Sequence, residues 1–107
     1  MSAYKLNEEY NDIGKLTNRY TRCTKTGKLH GTFEIYRRNG QKLCKCNYSY
    51  GLLDGLYEEW YDNDQLYITA KFKMGSLISG SLFNYDGLFL TSSVNLKHMA
   101  VYELELE

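Results

Sequence analysis

Gly27-Lys28-Leu29-His30-Gly31, Gly51-Leu52-Leu53-Asp54-Gly55 and Gly75-Ser76-Leu77-Ile78-Ser79-Gly80 are three copies of one phrase, and their opening glycines stand 24 residues apart. A fixed period in this range marks a repeat architecture. Repeat arrays usually present a surface to a partner rather than a pocket to a substrate. Each phrase leads into a strand-like run: Gly31-Thr-Phe-Glu-Ile-Tyr36, Gly55-Leu-Tyr-Glu-Glu-Trp60 and Gly80-Ser-Leu-Phe-Asn-Tyr85. Counted from the second glycine, Phe33, Tyr57 and Leu82 form one series, and Tyr36, Trp60 and Tyr85 another.

Turn residues follow: Asn39-Gly40, Asn63-Asp64 and Asp86-Gly87. Asn-Gly and Asp-Gly accept the positive φ of tight hairpins. On this alignment the third copy gains Ser79 before its strand and loses two residues at its turn. The return strands alternate. Cys44, Cys46, Tyr48 and Tyr50 point one way and Lys45, Asn47 and Ser49 the other. One period later, Ile68, Ala70, Phe72 and Met74 oppose Thr69, Lys71 and Lys73. Period-two alternation is the mark of a half-buried strand.

The reading is therefore all-β: consecutive antiparallel hairpins forming an elongated, twisted meander of about nine strands in one domain, 1–107. A degenerate capping repeat spans 4–26, with Gly14 at its turn. Repeats follow at 27–50, 51–74 and 75–98, and the alternating Tyr102–Glu107 suggests a terminal strand over 99–107. The lone helical candidate is a short turn near Asn95 to Met99. The structural positions of the repeat are Gly27, Leu29 and Gly31, then Gly51, Leu53 and Gly55, then Gly75, Leu77 and Gly80.

Composition narrows the function classes. The 13 basic and 13 acidic residues cancel, so no cationic footprint for nucleic acid exists. Aromatics make up 15% of the chain, and 11 of the 16 are tyrosine, a strand former suited to half-wet surfaces. Three cysteines, Cys23, Cys44 and Cys46, do not make a secreted disulfide framework. With no apolar leader and no membrane-length run, an intracellular, cytoplasmic setting is expected. No proline and many Lys, Asn and Tyr fit an AT-rich genome, whether bacterial, phage or large DNA virus. A small viral accessory or structural protein, acting within an infected cell, is one alternative.

These motifs resemble MORN repeats, and more closely the variant in YwqK-type proteins described as antitoxins. Gly27 to Gly40 fits that pattern best. Gly51 to Phe72 follows it with Asp54 in place of histidine and Asp64 in place of the turn glycine. The resemblance covers about residues 9 to 96. It implies stacked β-hairpins, a role in scaffolding, dimerisation, membrane-adjacent tethering or partner inhibition, and no catalytic residues.

The chemistry-bearing residues have plainer readings beside their functional ones. His30 changes to Asp54 one period on, so the repeat does not require imidazole, and a general acid–base role would need an orienting partner. His98 is read likewise. Cys44 and Cys46 lack a second ligand pair at metal spacing and read as small core residues. Glu34 and Glu58 read as a solvated charge ladder opposite lysines, with Glu59 on the opposite face. A glycosidase pair is the sharper alternative. Arg37, Arg38, Lys42, Lys45, Lys71 and Lys73 could meet an anionic membrane, but Glu58, Glu59, Asp62 and Asp64 interrupt them. No catalytic residue, metal or cofactor is expected.

The expected function is non-enzymatic: a protein-interaction module or scaffold binding a partner, or itself as a homodimer, through Tyr36, Trp60, Tyr85 and Tyr57 or through an open sheet edge. The aromatic series is read first as a buried spine. If Phe33, Tyr57 and Leu82 form the core instead, it lies on the other face.

Overall fold

The computed structural model describes residues 3–101. Nine strands form one open antiparallel sheet: β1 (Tyr4–Tyr10), β2 (Leu16–Cys23), β3 (Leu29–Tyr36), β4 (Lys42–Ser49), β5 (Leu52–Leu53), β6 (Gly55–Trp60), β7 (Leu66–Lys73), β8 (Ser76–Phe83) and β9 (Phe89–Thr91). The order is β1-β2-β3-β4-β6-β7-β8-β9, with the short β5 paired to β4. The expected hairpin meander is the fold. A short 3₁₀ turn at Leu96–His98, capped by Asn95, sits where the helical turn was expected.

Four turns at one end of the hairpins share a single construction. The N–H groups of Asn11, Arg37, Tyr61 and Asn84 donate to the carbonyls of Lys15, Gln41, Gln65 and Leu88 at 2.7–2.9 Å. Inside each turn one residue is left-handed: Gly14, Gly40, Asp64 and Gly87, with φ between 66° and 92°. Asp64 fills the glycine position because aspartate tolerates that region better than most side chains. After each turn the register slips by one residue, so Tyr10, Tyr36, Trp60 and Phe83 face Leu16, Lys42, Leu66 and Phe89 across a bulge. Bulges increase the local right-handed twist.

This register corrects the alignment of the third copy. Counted back from the left-handed turn residue, the aromatic before the turn is Tyr10, Tyr36, Trp60 and then Phe83; Tyr85 lies within the Asn84–Leu88 turn. The third strand is therefore one residue short between Leu77 and the turn, rather than one residue long at Ser79. Gly80 then stands where Phe33 and Tyr57 stand in the earlier copies. Gly31 and Gly55 have φ of 97° and 102°, whereas Gly80 does not have a left-handed φ. Its function is space: a Cβ there would lie 3.0 Å from the Val94 side chain and 3.2 Å from Ala70.

At the other end, the links stack. Tyr50-Gly51 and Met74-Gly75 are both left-handed pairs, at φ of 52° and 84°, then 48° and 87°, as a type I′ turn demands. Gly51 N–H donates to the Leu29 carbonyl at 2.8 Å, and Gly75 N–H to the Leu53 carbonyl at 2.7 Å. Tyr50 N–H donates to His30 Nδ1 at 3.3 Å, and Met74 N–H to Asp54 Oδ1 at 3.1 Å. The position that varies between copies thus keeps one property, an acceptor aimed at the next link. The left-handed φ also turns Tyr50 and Met74 out of the alternation: both are exposed, whereas Cys44, Cys46, Tyr48, Ile68, Ala70 and Phe72 are buried.

One face of the sheet is the core. It carries Ile35, Cys44, Cys46, Tyr48, Leu53, Tyr57, Ile68, Ala70, Phe72 and Leu82, with Leu29, Phe33 and Leu77 packed against it. After β9 the chain leaves the sheet and crosses this face. Val94 fills the gap at Gly80, and Met99 and Val101 are buried in the same cluster. Ala100 and Val101 have helical backbone rather than the expected strand; residues 102–107 lie outside the described residues. The anchor is Glu59, which is 4% exposed on the core face. Its carboxylate accepts from Tyr57 O–H and from Ala100 N–H, while Val101 N–H donates to Tyr57 Oη at 3.4 Å.

Two expectations follow. Glu59→Ala leaves a buried phenol and a half-buried N–H without their acceptor and lowers unfolding free energy by about 3 kcal/mol, measured by urea denaturation with Trp60 fluorescence. Asp54→Ala, which removes one link acceptor, costs about 1 kcal/mol; Asp54→Asn keeps the oxygen and most of that stability.

Candidate functional site

The outer face of the sheet, opposite the core, carries two repeat-aligned rows. The first is a cross-strand charge ladder. Glu8 faces Arg19, Arg19 faces Glu34, Glu34 faces Lys45, and Lys45 faces Glu58, before the row becomes neutral at Thr69 and Ser81. Signs alternate at every step of the charged stretch, so each cross-strand pair is attractive. The expected Glu34/Glu58 ladder is present. Glu59 does lie on the opposite face, but as a buried acceptor.

The second row is the pre-turn aromatic series on the same face. Tyr10 is exposed, and Tyr36, Trp60 and Phe83 are half-buried. Tyr57 is fully buried beside Glu59 and Cys44, so it is no part of an exposed surface. Tyr57 and Leu82 are buried on the core face and Phe33 packs against them. The aromatic series therefore does not form the buried spine. Tyr85 is exposed at the last turn and held against Tyr61 at 5.4 Å.

Tyr36, Glu34, Lys42, Trp60 and Arg19 make one connected patch. Tyr36 O–H donates to Glu34 Oε2 at 3.1 Å, and Lys42 Nζ lies 3.2 Å from the same oxygen and 6.0 Å from the centre of the Trp60 ring. Arg19 holds Glu8 at 3.0 Å and reaches Glu34 at 3.9 Å. Partial burial pushes the Glu34 carboxyl up, but the bonds from Lys42 and Tyr36 outweigh it, and the net result lies below the usual range. Burial and the Glu34 bond push the Tyr36 phenol up. Arg37 Nη2 donates to the Trp60 carbonyl at 2.9 Å and fixes the strand end that presents the indole. An open cleft of about 590 Å³ lies beside this patch, lined by Ile13, Lys15, Leu16, Arg19 and Tyr36 among others.

The remaining sequence candidates lie elsewhere. Cys44 and Cys46 are fully buried, and none of the three cysteines forms a disulfide. No metal-holding group of three His, Cys, Asp or Glu residues occurs among the described residues. His30 packs between Tyr4 and Tyr50 at ring distances of 5.0 and 5.3 Å. His98 Nδ1 accepts from Asn95 N–H within the 3₁₀ cap. The proposed cationic patch is divided: Lys42 pairs with Glu34, Arg38 with Asp12, and Arg37 with a backbone carbonyl. Among the described residues no helix is long and apolar enough to cross a membrane.

Sequence reasoning missed Phe83 and Tyr10 as members of the aromatic row. Counting back from the turn glycine instead of forward from the link glycine finds both. No protein-family description, curated protein or solved structure matches this chain.

The depressed Glu34 carboxyl gives a pH signature. Its contribution is present above its unfolded value and is lost as pH falls through the lower folded value. The stability difference between wild type and Glu34→Gln is therefore full above the ordinary carboxylate range and fades as pH falls through and below that range, read from urea midpoints at a series of acidic pH values.

Proposed function

We propose that this chain is a non-enzymatic protein-interaction module whose outer face docks a partner protein around Tyr36 and Trp60. The observation that carries this reading is that the pre-turn aromatics emerge in register on the face opposite the core. Aromatic side chains set among neutralised charges make effective anchors, because they bring large contact area at low entropic cost. The flanking ladder supplies a polar rim whose charges are already paired, so docking need not strip isolated ions of water.

The non-enzymatic part of the proposal is supported by how the acid–base candidates are engaged. His30 and Asp54 accept backbone N–H groups between repeats, Glu34 is held by Lys42 and Tyr36, and Glu59 anchors the chain that crosses the core. The resemblance to MORN repeats of the YwqK type supports the same class, and within it an inhibitor of a partner protein, in the manner of an antitoxin, is the more specific form.

The test is quantitative capture of cellular proteins by wild type, Trp60→Ala and the distant surface variant Leu90→Ser. Trp60→Ala should reduce recovery of a specific partner about tenfold or more, while Leu90→Ser leaves it unchanged. A partner set retained in full by Trp60→Ala would refute the outer-face anchor.

A further inference from the structure

We infer that β1 pairs with β1 of a second copy of this chain, antiparallel about a two-fold axis at Asn7, so that two sheets join into one. This surface is the sheet's first edge, distinct from the outer-face patch at Trp60, and it deepens the interaction reading by naming one partner.

Among the described residues the sheet is open, with β1 and β9 at its two edges. The β9 edge is only three residues long, a length that protects an edge from pairing. The β1 edge is seven residues long and extended throughout. Its outward-facing groups are set by the bonding to β2. Thr24 N–H donates to the Ala3 carbonyl, and the register Tyr4↔Cys23 continues from that bonded pair. In an antiparallel ladder bonding alternates along each strand. Lys5, Asn7 and Glu9 therefore turn their backbone groups to β2, and Tyr4, Leu6, Glu8 and Tyr10 turn theirs to the open side.

A second β1 must bond through that same outward set, and this leaves few registers. Centred on Lys5, the pairing opposes two lysines. Centred on Leu6, it leaves Glu9 and Tyr10 without partners. Centred on Glu8, it opposes two glutamates. Centred on Asn7, it uses the whole strand, from Tyr4 opposite the second copy's Tyr10 to Tyr10 opposite its Tyr4. Lys5 then faces Glu9 twice, and no like charges meet directly. Opposite charges and aromatic pairs across strands are each stabilising, and like charges are not.

Exposure points the same way. Tyr4, Leu6 and Tyr10 are 46%, 56% and 58% exposed and lie on one face of β1. Pairing at Asn7 sets Tyr4 against Tyr10 and brings the two Leu6 side chains onto a diagonal, within reach of each other. The contact is isologous, so it closes at a dimer and does not propagate as a fibre. A single strand pairing lies at the small end of specific interfaces, which places the dissociation constant in the micromolar range.

Sedimentation velocity from micromolar to near-millimolar protein, with circular dichroism to confirm folding, tests this. Wild type should show a reversible dimer. Lys5→Glu should weaken it about tenfold by setting glutamate against Glu9, and the exchange Lys5→Glu with Glu9→Lys should restore it. Asn7→Cys in a Cys23→Ser background should cross-link two copies under mild oxidation, because the Asn7 pair does not exchange backbone bonds and its Cα atoms come within about 4.5 Å. A monomer throughout the range overturns the inference. So does a dimer that ignores Lys5→Glu and gives no Asn7→Cys cross-link, since it would use another surface. Trp60→Ala should leave dimerisation unchanged, so failure here and failure of the outer-face reading can be told apart.

Discussion

A single sheet has two faces and only one of them can be left wet, so this fold depends on what covers the other. Here the cover is the chain's own continuation, and the interaction that holds it is the Glu59 carboxylate accepting the Ala100 N–H. A buried carboxylate is costly, by several kcal/mol unless its lone pairs are satisfied. Glu59 receives Tyr57 O–H as well, and burial together with Cys44 and Glu59 pushes the Tyr57 phenol far above its usual range. The phenol therefore stays protonated and remains a donor. The same carboxylate offers an acceptor to backbone N–H groups at the start of a helical turn, where such groups have no partner of their own. Val94 then settles into the space left by Gly80, and Met99 and Val101 close the core.

The stack is held by a second, repeated device. Each hairpin is tied to the next at both ends. At the links, Leu29 and Leu53 carbonyls receive Gly51 and Gly75, while His30 and Asp54 receive Tyr50 and Met74. At the turns, Arg37 reaches the Trp60 carbonyl and Tyr61 O–H reaches the Phe83 carbonyl, both at 2.9 Å. These ties satisfy backbone groups that left-handed residues and bulges take out of the ladder. A net value near 1 kcal/mol each is modest, but every one of them also fixes the angle between neighbouring units. Changing His to Asp between copies preserves the tie because the acceptor atom, not the ring, is what the next link needs.

The hairpin period, the buried face and the core cysteines were legible in the sequence because each rests on local rules: turn residues at fixed spacing and period-two alternation. The aromatic row was legible in kind but shifted in its third member, since a missing residue inside β8 looks like an extra one when counted from the link. Tyr50 and Met74 misled because alternation was carried into residues whose φ is left-handed. The crossing of the core by residues 92–101 was not legible, because it depends on packing between segments far apart in sequence. One local signal did exist. Glu59 follows Tyr57 by two positions, so it had to share the core face, and a carboxylate there requires donors from somewhere else in the chain.

The division of labour between the faces has a consequence for what the surface is free to do. On the core face the central row is committed: Cys44, Glu59, Ile68 and Leu82 succeed one another across the sheet, and all four are buried. On the outer face the ladder from Glu8 to Glu58 neutralises itself strand by strand, at a stability contribution that is small for half-exposed pairs. At two of the bulges the aromatic residue, Trp60 or Phe83, has its carbonyl tied by the neighbouring hairpin. The Trp60 position, for example, is set by Arg37 on its carbonyl and only brushed by Lys42 on its ring. Side chains positioned by their backbone can vary without unfolding the sheet beneath them. That separation leaves the outer row free to vary while the architecture beneath it stays the same.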